Sequence, residues 1–221
     1  MTEYELRKRV CAIMAGWVGG ARGSAQHLDI LKTYNEYRPL ARGYRMQVRD
    51  DWCACTVSAA FIRAGIASFT GTECSCGAFI TLAKARGIWI EDDARRPEIS
   101  DAIIYAWSDD GKGDNTTGHN HIGIVTALHG DTFTVTEGNK GKDSKVATRL
   151  MKVNDMFTRG FICPDYKAIA AATEAPIWAM EAAYKAAHKG VFIGDGKSYR
   201  WGDNLTRGEA AVIMDRLGLL D

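Results

Sequence analysis

Apolar residues recur along this chain first with the period of a helix, then with that of strands, and near the end with that of helices again. From residue 3 to residue 19, Leu6, Val10, Ile13, Met14 and Trp17 share one helical face, which stops at Gly19-Gly20. A second helix is expected from about Ser24 through Tyr37, with Ser24 as N-cap and Pro39 just past its end. A third starts at Cys53, where positions 53, 57, 60, 61 and 64 form one stripe, and it ends at Gly65. Cys76 to Arg86 reads as a further helix closed by Gly87.

Strands begin near Ala102. Asn120 to Val125 reads as a short buried strand and Thr132 to Glu137 as its partner, with Gly130-Asp131 as the hairpin turn. The polar, glycine-rich segment from Ser108 to Asn115 reads as a solvated loop, and its spacing does not fit an EF-hand. After Tyr166 an alanine-rich stretch, Ala168 through Ala175, reads either as a linker or as the start of a helix. Beyond it, Trp178, Ala182, Ala183 and Ala186 line one helical face, a glycine-containing loop follows from Gly190 to Asp203, and a last helix runs on from Leu205-Thr206 through Leu217. The expected organisation is a domain at 1–166, a linker at 167–176 and a helical module at 177–221. The fold class is α+β: N-terminal helices packed on an antiparallel sheet, followed by a small all-α module.

Composition narrows the functional classes. With 221 residues, a net charge of +1 and 46% hydrophobic residues, the chain suits one domain plus a small module, and its near-neutral balance offers no case for nucleic-acid binding. No stretch has the length and apolarity of a membrane span, and the N-terminal residues, with acids among the bases, do not read as a signal peptide. Six cysteines without a secretory signal are expected to be reduced thiols. Cys53-Ala54-Cys55 and Cys74-Ser75-Cys76 lack the two-residue gap of a zinc knuckle, and neighbours one residue apart point away from each other, which disfavours a disulfide within either pair. Neither a metal nor a cofactor is therefore expected.

The candidate chemistry centres on Cys53. A cysteine in the first turn of a helix meets unpaired backbone N–H groups and the positive end of the dipole, both of which favour a thiolate. About 70 residues on, His121 heads one predicted strand, and Glu137 and Asn139 stand at the end of its partner. An imidazole and a carboxylate or amide can then meet at one sheet edge, as a general base and the group that orients it. Each residue has a plainer reading. Cys53 reads equally as a small buried cysteine, Glu137 and Asn139 as turn residues, and His119 competes with His121. His121 is preferred because it abuts the Ile122-Gly123-Ile124-Val125 run.

Taken in order, Asp51-Trp52-Cys53-Ala54, Pro97-Glu98-Ile99-Ser100-Asp101 through Trp107, His121-Ile122-Gly123-Ile124-Val125 and Glu137-Gly138-Asn139 resemble the motifs of the CHAP branch of cysteine peptidoglycan hydrolases. That branch is related to the NlpC/P60 group and includes amidase domains of phage endolysins. The resemblance covers roughly residues 1–166 and implies a papain-like domain with Cys53 as nucleophile, His121 as base and then acid, Glu137 orienting His121, and Asn139 as a further polar partner. It also implies a bacterial peptidoglycan substrate cut at an amide bond, as an N-acetylmuramoyl-L-alanine amidase or else an endopeptidase, with the amidase preferred. A lysin of this kind is made in the host bacterial cytoplasm and acts at the wall after release. Two departures stand out. Ser100 occupies the place of a usual glycine, and no aspartate-rich calcium loop precedes Cys53.

The C-terminal stretch resembles a single S-layer homology repeat in Trp178-Ala179, Gly190 to Gly194 and Thr206-Arg207-x-Glu209. In that family the repeats bind secondary cell-wall polymers. Thr206 and Glu209 stand at the spacing of a capping box, which leaves Arg207 to grip an anionic polymer and Trp201 to stack on a sugar. Because the repeat is solitary where the family usually has three, a homo-oligomer formed through this module is the rival role. Two readings oppose the lysin as a whole: a papain-like enzyme with another substrate, and a non-catalytic binding or assembly protein.

Overall fold

The structure, a computed structural model, describes residues 1–108 and 116–220. Most of the loop expected at Ser108 to Asn115 thus lies outside the described residues. The chain is mixed helix and sheet and divides into two compact units, one of Arg7–Pro164 and one of Asp165–Asp221 with Met1–Leu6.

The helices α1 (Glu3–Trp17), which belongs to the larger unit from Arg7 on, and α2 (Ala25–Glu36) match the apolar periodicity, and Ser24 caps α2 by accepting from the His27 N–H. The third helix, α3 (Cys53–Ala64), ends at Gly65 with φ 79°. An apolar stripe had been expected there, yet every residue from Cys53 to Phe61 is buried. The reason is that α3 packs against α2 and against two strands of the sheet, so it has no broad solvent face. A short α4 (Ala67–Thr70) follows, and α5 (Cys76–Ala85) starts behind Ser75, which accepts from the Ala78 N–H.

The sheet consists of β1 (Trp89–Ile90), β2 (Ala102–Tyr105), β3 (His121–His129), β4 (Thr132–Lys140), β5 (Lys145–Lys152) and β6 (Thr158–Ile162). Its order is β1-β6-β2-β3-β4-β5, and each neighbouring pair is antiparallel. The β3–β4 hairpin runs past its expected ends at Val125 and Glu137, to His129 and Lys140. Register sets Tyr105 opposite His121 and Val135 opposite Arg149. Alternation then gathers Ile103, Tyr105, Val125, Phe133, Val135, Met151 and Phe161 into one core cluster.

Two glycines let the sheet close around what becomes the site. A Cβ on Gly123 would fall 2.7 Å from Glu137 Cγ, and one on Gly138 would fall 2.0 Å from Thr56 Oγ1 on α3. Any side chain at Gly138 would force β4 away from α3 and carry Glu137 with it.

In the smaller unit, the stretch expected as a linker at 167–176 is helical over most of its length, as α6 (Tyr166–Ala172), with Asp165 capping it through the Ala168 N–H. The alanines there serve burial, since Ala168, Ala171 and Ala172 are all buried. Next come α7 (Met180–His188) and α8 (Arg207–Arg216), the latter opened by the Thr206–Glu209 capping box. Among the described residues no helix is long and apolar enough to cross a membrane.

The turn before β2 carries Ser100. Ser100 sits at φ 72°, a left-handed conformation, because its N–H donates to Val125 O at 2.7 Å while buried Asp101 anchors the next residue to Arg95 at 2.6 Å. A non-glycine residue there costs about 1–2 kcal/mol, partly offset by the greater unfolded-state entropy of glycine. Ser100→Gly should therefore raise the unfolding free energy by roughly 0.5–1 kcal/mol, and Ser100→Val should lower it. Urea midpoints of the two variants check this, and a midpoint for Ser100→Gly at or below wild type refutes the strain.

Candidate active site

Cys53 is the first residue of α3, and its N-cap Trp52 offers no side chain to the open N–H groups of the first turn. The segment leading into it is pinned instead from outside the helix. Trp52 Nε1 donates to Ser144 Oγ at 3.0 Å, and Arg22 donates to Asp50 O at 2.7 Å and to Val48 O at 2.8 Å. The sulfur of Cys53 is thereby fixed at the head of the helix. Cys53 is only 7% exposed, and its sulfur lies 3.8 Å from that of Cys76, the first residue of α5.

His121 comes to the same place from the sheet. Its Nε2 lies 3.3 Å from Glu137 Oε2, a separation at which charge attraction acts although the angle falls short of a well-aligned hydrogen bond. The same imidazole also hydrogen-bonds the sulfur of Cys53. Glu137 itself is fully buried and held on several sides: Tyr105 OH donates at 2.8 Å, and Arg149 donates through Nε at 2.7 Å and Nη2 at 3.2 Å. The Arg149 guanidinium lies 4.6 Å over the Trp107 ring, which stacks on Tyr105, and Tyr105 in turn lies parallel to His121 at 5.9 Å. An aromatic wall thus keeps the imidazole from tilting out of the line between carboxylate and sulfur.

These contacts decide protonation. The thiol of Cys76 and the imidazole of His121 both stabilise the Cys53 anion, and despite the opposing effect of burial they hold its pKa well below that of a free thiol. Burial works against a charged His121, but Cys53 and Glu137 overcome it and raise the imidazole to about 9. Burial would also favour a neutral Glu137, yet His121 and Arg149 keep it below the usual carboxylate range. The directions of these shifts all favour a thiolate–imidazolium pair backed by a carboxylate.

The expected residues divide into two groups. Cys53, His121 and Glu137 are brought together. Asn139 is not turned to His121: at φ 55°, just beyond Gly138, it donates to Asp51 Oδ1 at 2.9 Å and accepts from Arg22 at 3.1 Å and from Ser144. Its contacts tie β4 to the segment before Cys53. His119 is exposed and lies against Gly77 on α5, where a Cβ would come within 2.8 Å of its ring. In the smaller unit, Trp201 donates its N–H to Ala171 O at 2.9 Å and stacks on Tyr199 at 5.2 Å, while Arg207 is exposed at the first position of α8. Among the described residues no group of three or more histidine, cysteine or acidic side chains is arranged to hold a metal ion.

Sequence reasoning missed Arg149, Tyr105 and Trp107, and it could not place Cys76. Arg149 offered a faint signal as a lone cation in the alternating run Val146-Ala147-Thr148-Arg149-Leu150-Met151. With the geometry established, comparison of the chain with protein-family models, with curated proteins and with solved structures finds no match.

Cys53 and, after it, Glu137 lift His121, so Glu137→Gln, which keeps the shape and removes the charge, should lower the imidazole pKa from about 9 part of the way toward the ordinary histidine value. Titration of the ring by NMR in both proteins measures this. An unmoved His121 would break the assigned coupling.

Proposed function

We propose that the chain is a cysteine hydrolase of peptidoglycan, with a papain-like catalytic domain, that cuts an amide bond through an acyl-enzyme at Cys53. The observation that carries the reading is the convergence of Cys53, His121 and Glu137, from a helix start and two adjacent strands, with His121 charged near pH 7 and the Cys53 thiol ionised. Buried structural cysteines behave in the opposite way, as Cys55 does: its thiol is pushed up by burial. The peptidoglycan substrate rests on the ordered CHAP-like motifs, and the same motifs favour an N-acetylmuramoyl-L-alanine amidase over an endopeptidase.

In the proposed reaction the Cys53 thiolate attacks the scissile carbonyl. Charge develops on the carbonyl oxygen, and N–H groups of the first turn of α3, which carries no side-chain cap, would receive it. His121, already protonated on the sulfur-facing side, gives its proton to the leaving amine, and a thioester remains. Glu137 stabilises the imidazolium until transfer and then keeps the neutral ring oriented as base for the incoming water. Arg149 and Tyr105 act one step back as positioning residues, since they touch Glu137 rather than any reacting atom. In the proposed C-terminal role, the module at 177–221 anchors the enzyme to an anionic wall polymer through Arg207.

Purified Gram-positive cell walls should lose turbidity with the wild-type chain, and Cys53→Ala should lower the rate by on the order of 10³-fold or more. Mass spectrometry of the fragments separates the bonds: free lactyl ends on glycan chains identify the amidase, and new peptide ends the endopeptidase. The rate should fall on the alkaline side as His121 loses its proton near 9, because the neutral ring cannot protonate the amine. Walls that stay turbid, or lysis indifferent to Cys53→Ala, would overturn the reading.

A further inference from the structure

Cys76 is unexplained by the hydrolytic reaction. It contributes no charge and transfers no proton in the proposed steps, yet it occupies the first position of α5 with its sulfur 3.8 Å from that of Cys53 and is itself only 8% exposed. If the requirement were only a hydrogen-bond donor to the Cys53 anion, a hydroxyl would serve better, because S–H is a weak donor. What a second sulfur uniquely offers is a covalent bond to the first. Both cysteines stand at helix starts 23 residues apart, so the side chains can rotate toward one another without a helix interior having to unwind. Van der Waals contact between the sulfurs must shorten by roughly 1.8 Å to reach disulfide length, a distance within reach of side-chain rotation.

We propose that Cys53 and Cys76 form a reversible redox pair, in which hydroperoxides oxidise Cys53 and Cys76 resolves the product as an intramolecular disulfide that stores the enzyme in an inactive, protected form. The inhibitory consequence rests on the hydrolase reading above. The pairing itself rests only on the geometry of the two sulfurs. In the first step, written for hydrogen peroxide, the Cys53 thiolate attacks one peroxide oxygen, the O–O bond breaks, and the departing hydroxide takes the His121 proton as water, which makes Cys53 a sulfenic acid. In the second step the sulfur of Cys76 attacks the Cys53 sulfur, the S–O bond breaks, and the departing hydroxide takes up the Cys76 proton as water. Two electrons pass from the two thiols to the peroxide, and two waters result. An external dithiol reverses the reaction.

Three of the four remaining thiols are held out of this role. Burial raises Cys55, Cys11 and Cys163 away from the reactive thiolate form, whereas Cys53 is lowered toward it. Without a resolving partner, a thiolate of this kind goes on to the sulfinic acid and is lost irreversibly. A sulfur in contact intercepts it first.

The test treats the full reduced chain with hydrogen peroxide and reads intact mass and tandem mass spectra of peptides. The expected result is a loss of two hydrogens, a linked peptide joining Cys53 to Cys76, and full recovery with dithiothreitol. Cys76→Ser should instead gain two oxygens at Cys53 that dithiothreitol does not remove. Wild-type protein that carries sulfinic acid at Cys53 beside a free Cys76, that links another pair, or that resists peroxide sufficient to oxidise free cysteine would overturn the proposal. The wild-type mapping decides even if Cys76→Ser fails to fold. A chain that forms this bond but never clears cell walls keeps the redox pair and removes the hydrolase, and a chain that lyses walls through Cys53 without forming it does the reverse.

Discussion

A carboxylate with no exposure to water is the constraint around which the larger unit is arranged. An ion the size of Glu137 placed in a protein interior costs several kcal/mol unless hydrogen bonds and opposite charge replace its hydration. Here the replacement comes from three strands: Tyr105 on β2, His121 on β3 and Arg149 on β5 all point their polar atoms at Glu137 on β4. None of these strands can slip in register without stranding the charge, since a one-residue shift sends each side chain to the opposite face. The buried ion thus specifies the alignment of the sheet as well as the orientation of one imidazole.

The same ion sets the chemistry at the helix. From Arg149 through Glu137 and His121 to Cys53 the charges alternate in sign, so each group is stabilised by its neighbours against the common penalty of burial. The arrangement explains why the imidazole is held protonated although burial opposes it. It also explains why the most anionic sulfur of the chain lies at the far end, where the Ala54 N–H and the Cys76 thiol supply its remaining partners. Gly123 and Gly138 are the small-residue conditions of this geometry: the first leaves room for the stem of Glu137, the second for α3 to press against β4.

The parts that repeat with a clear period were legible in the sequence. The boundaries of α2, α3 and α5 follow from Ser24, from Gly65 and from Gly87, because a cap is a local interaction and its residues sit where the helix ends. Cys53 and His121 could be singled out because each begins an element, and Glu137 because the strand pattern was read as ending there, although β4 continues to Lys140. The strands β1, β5 and β6 were not legible. With two residues β1 has no period, the five residues of β6 are all buried, and β5 is an edge strand in which the partly buried Arg149 interrupts the apolar positions. Arg149 was overlooked for that reason: a cation on an edge strand reads as solvated unless its partner two strands' worth of sequence away is already known. Cys76 escaped placement because its meeting with Cys53 depends on how two helix starts converge, which no local spacing encodes.

The smaller unit illustrates how structural demands use up the residues of a motif. The Thr206–Glu209 box is occupied in starting α8, and the Trp201 indole is engaged at both its N–H, by Ala171 O, and its face, by Tyr199 and Phe192. An indole already stacked has less face to offer a sugar than one standing in water. Within this unit that condition is met by Trp178, 88% exposed beside Ile177 at 90% exposure. If the unit binds a glycopolymer, the aromatic platform therefore falls at the 3₁₀ turn Ile177–Ala179 rather than at Trp201, and Arg207, exposed on α8, remains the cation available to the polymer's anionic groups.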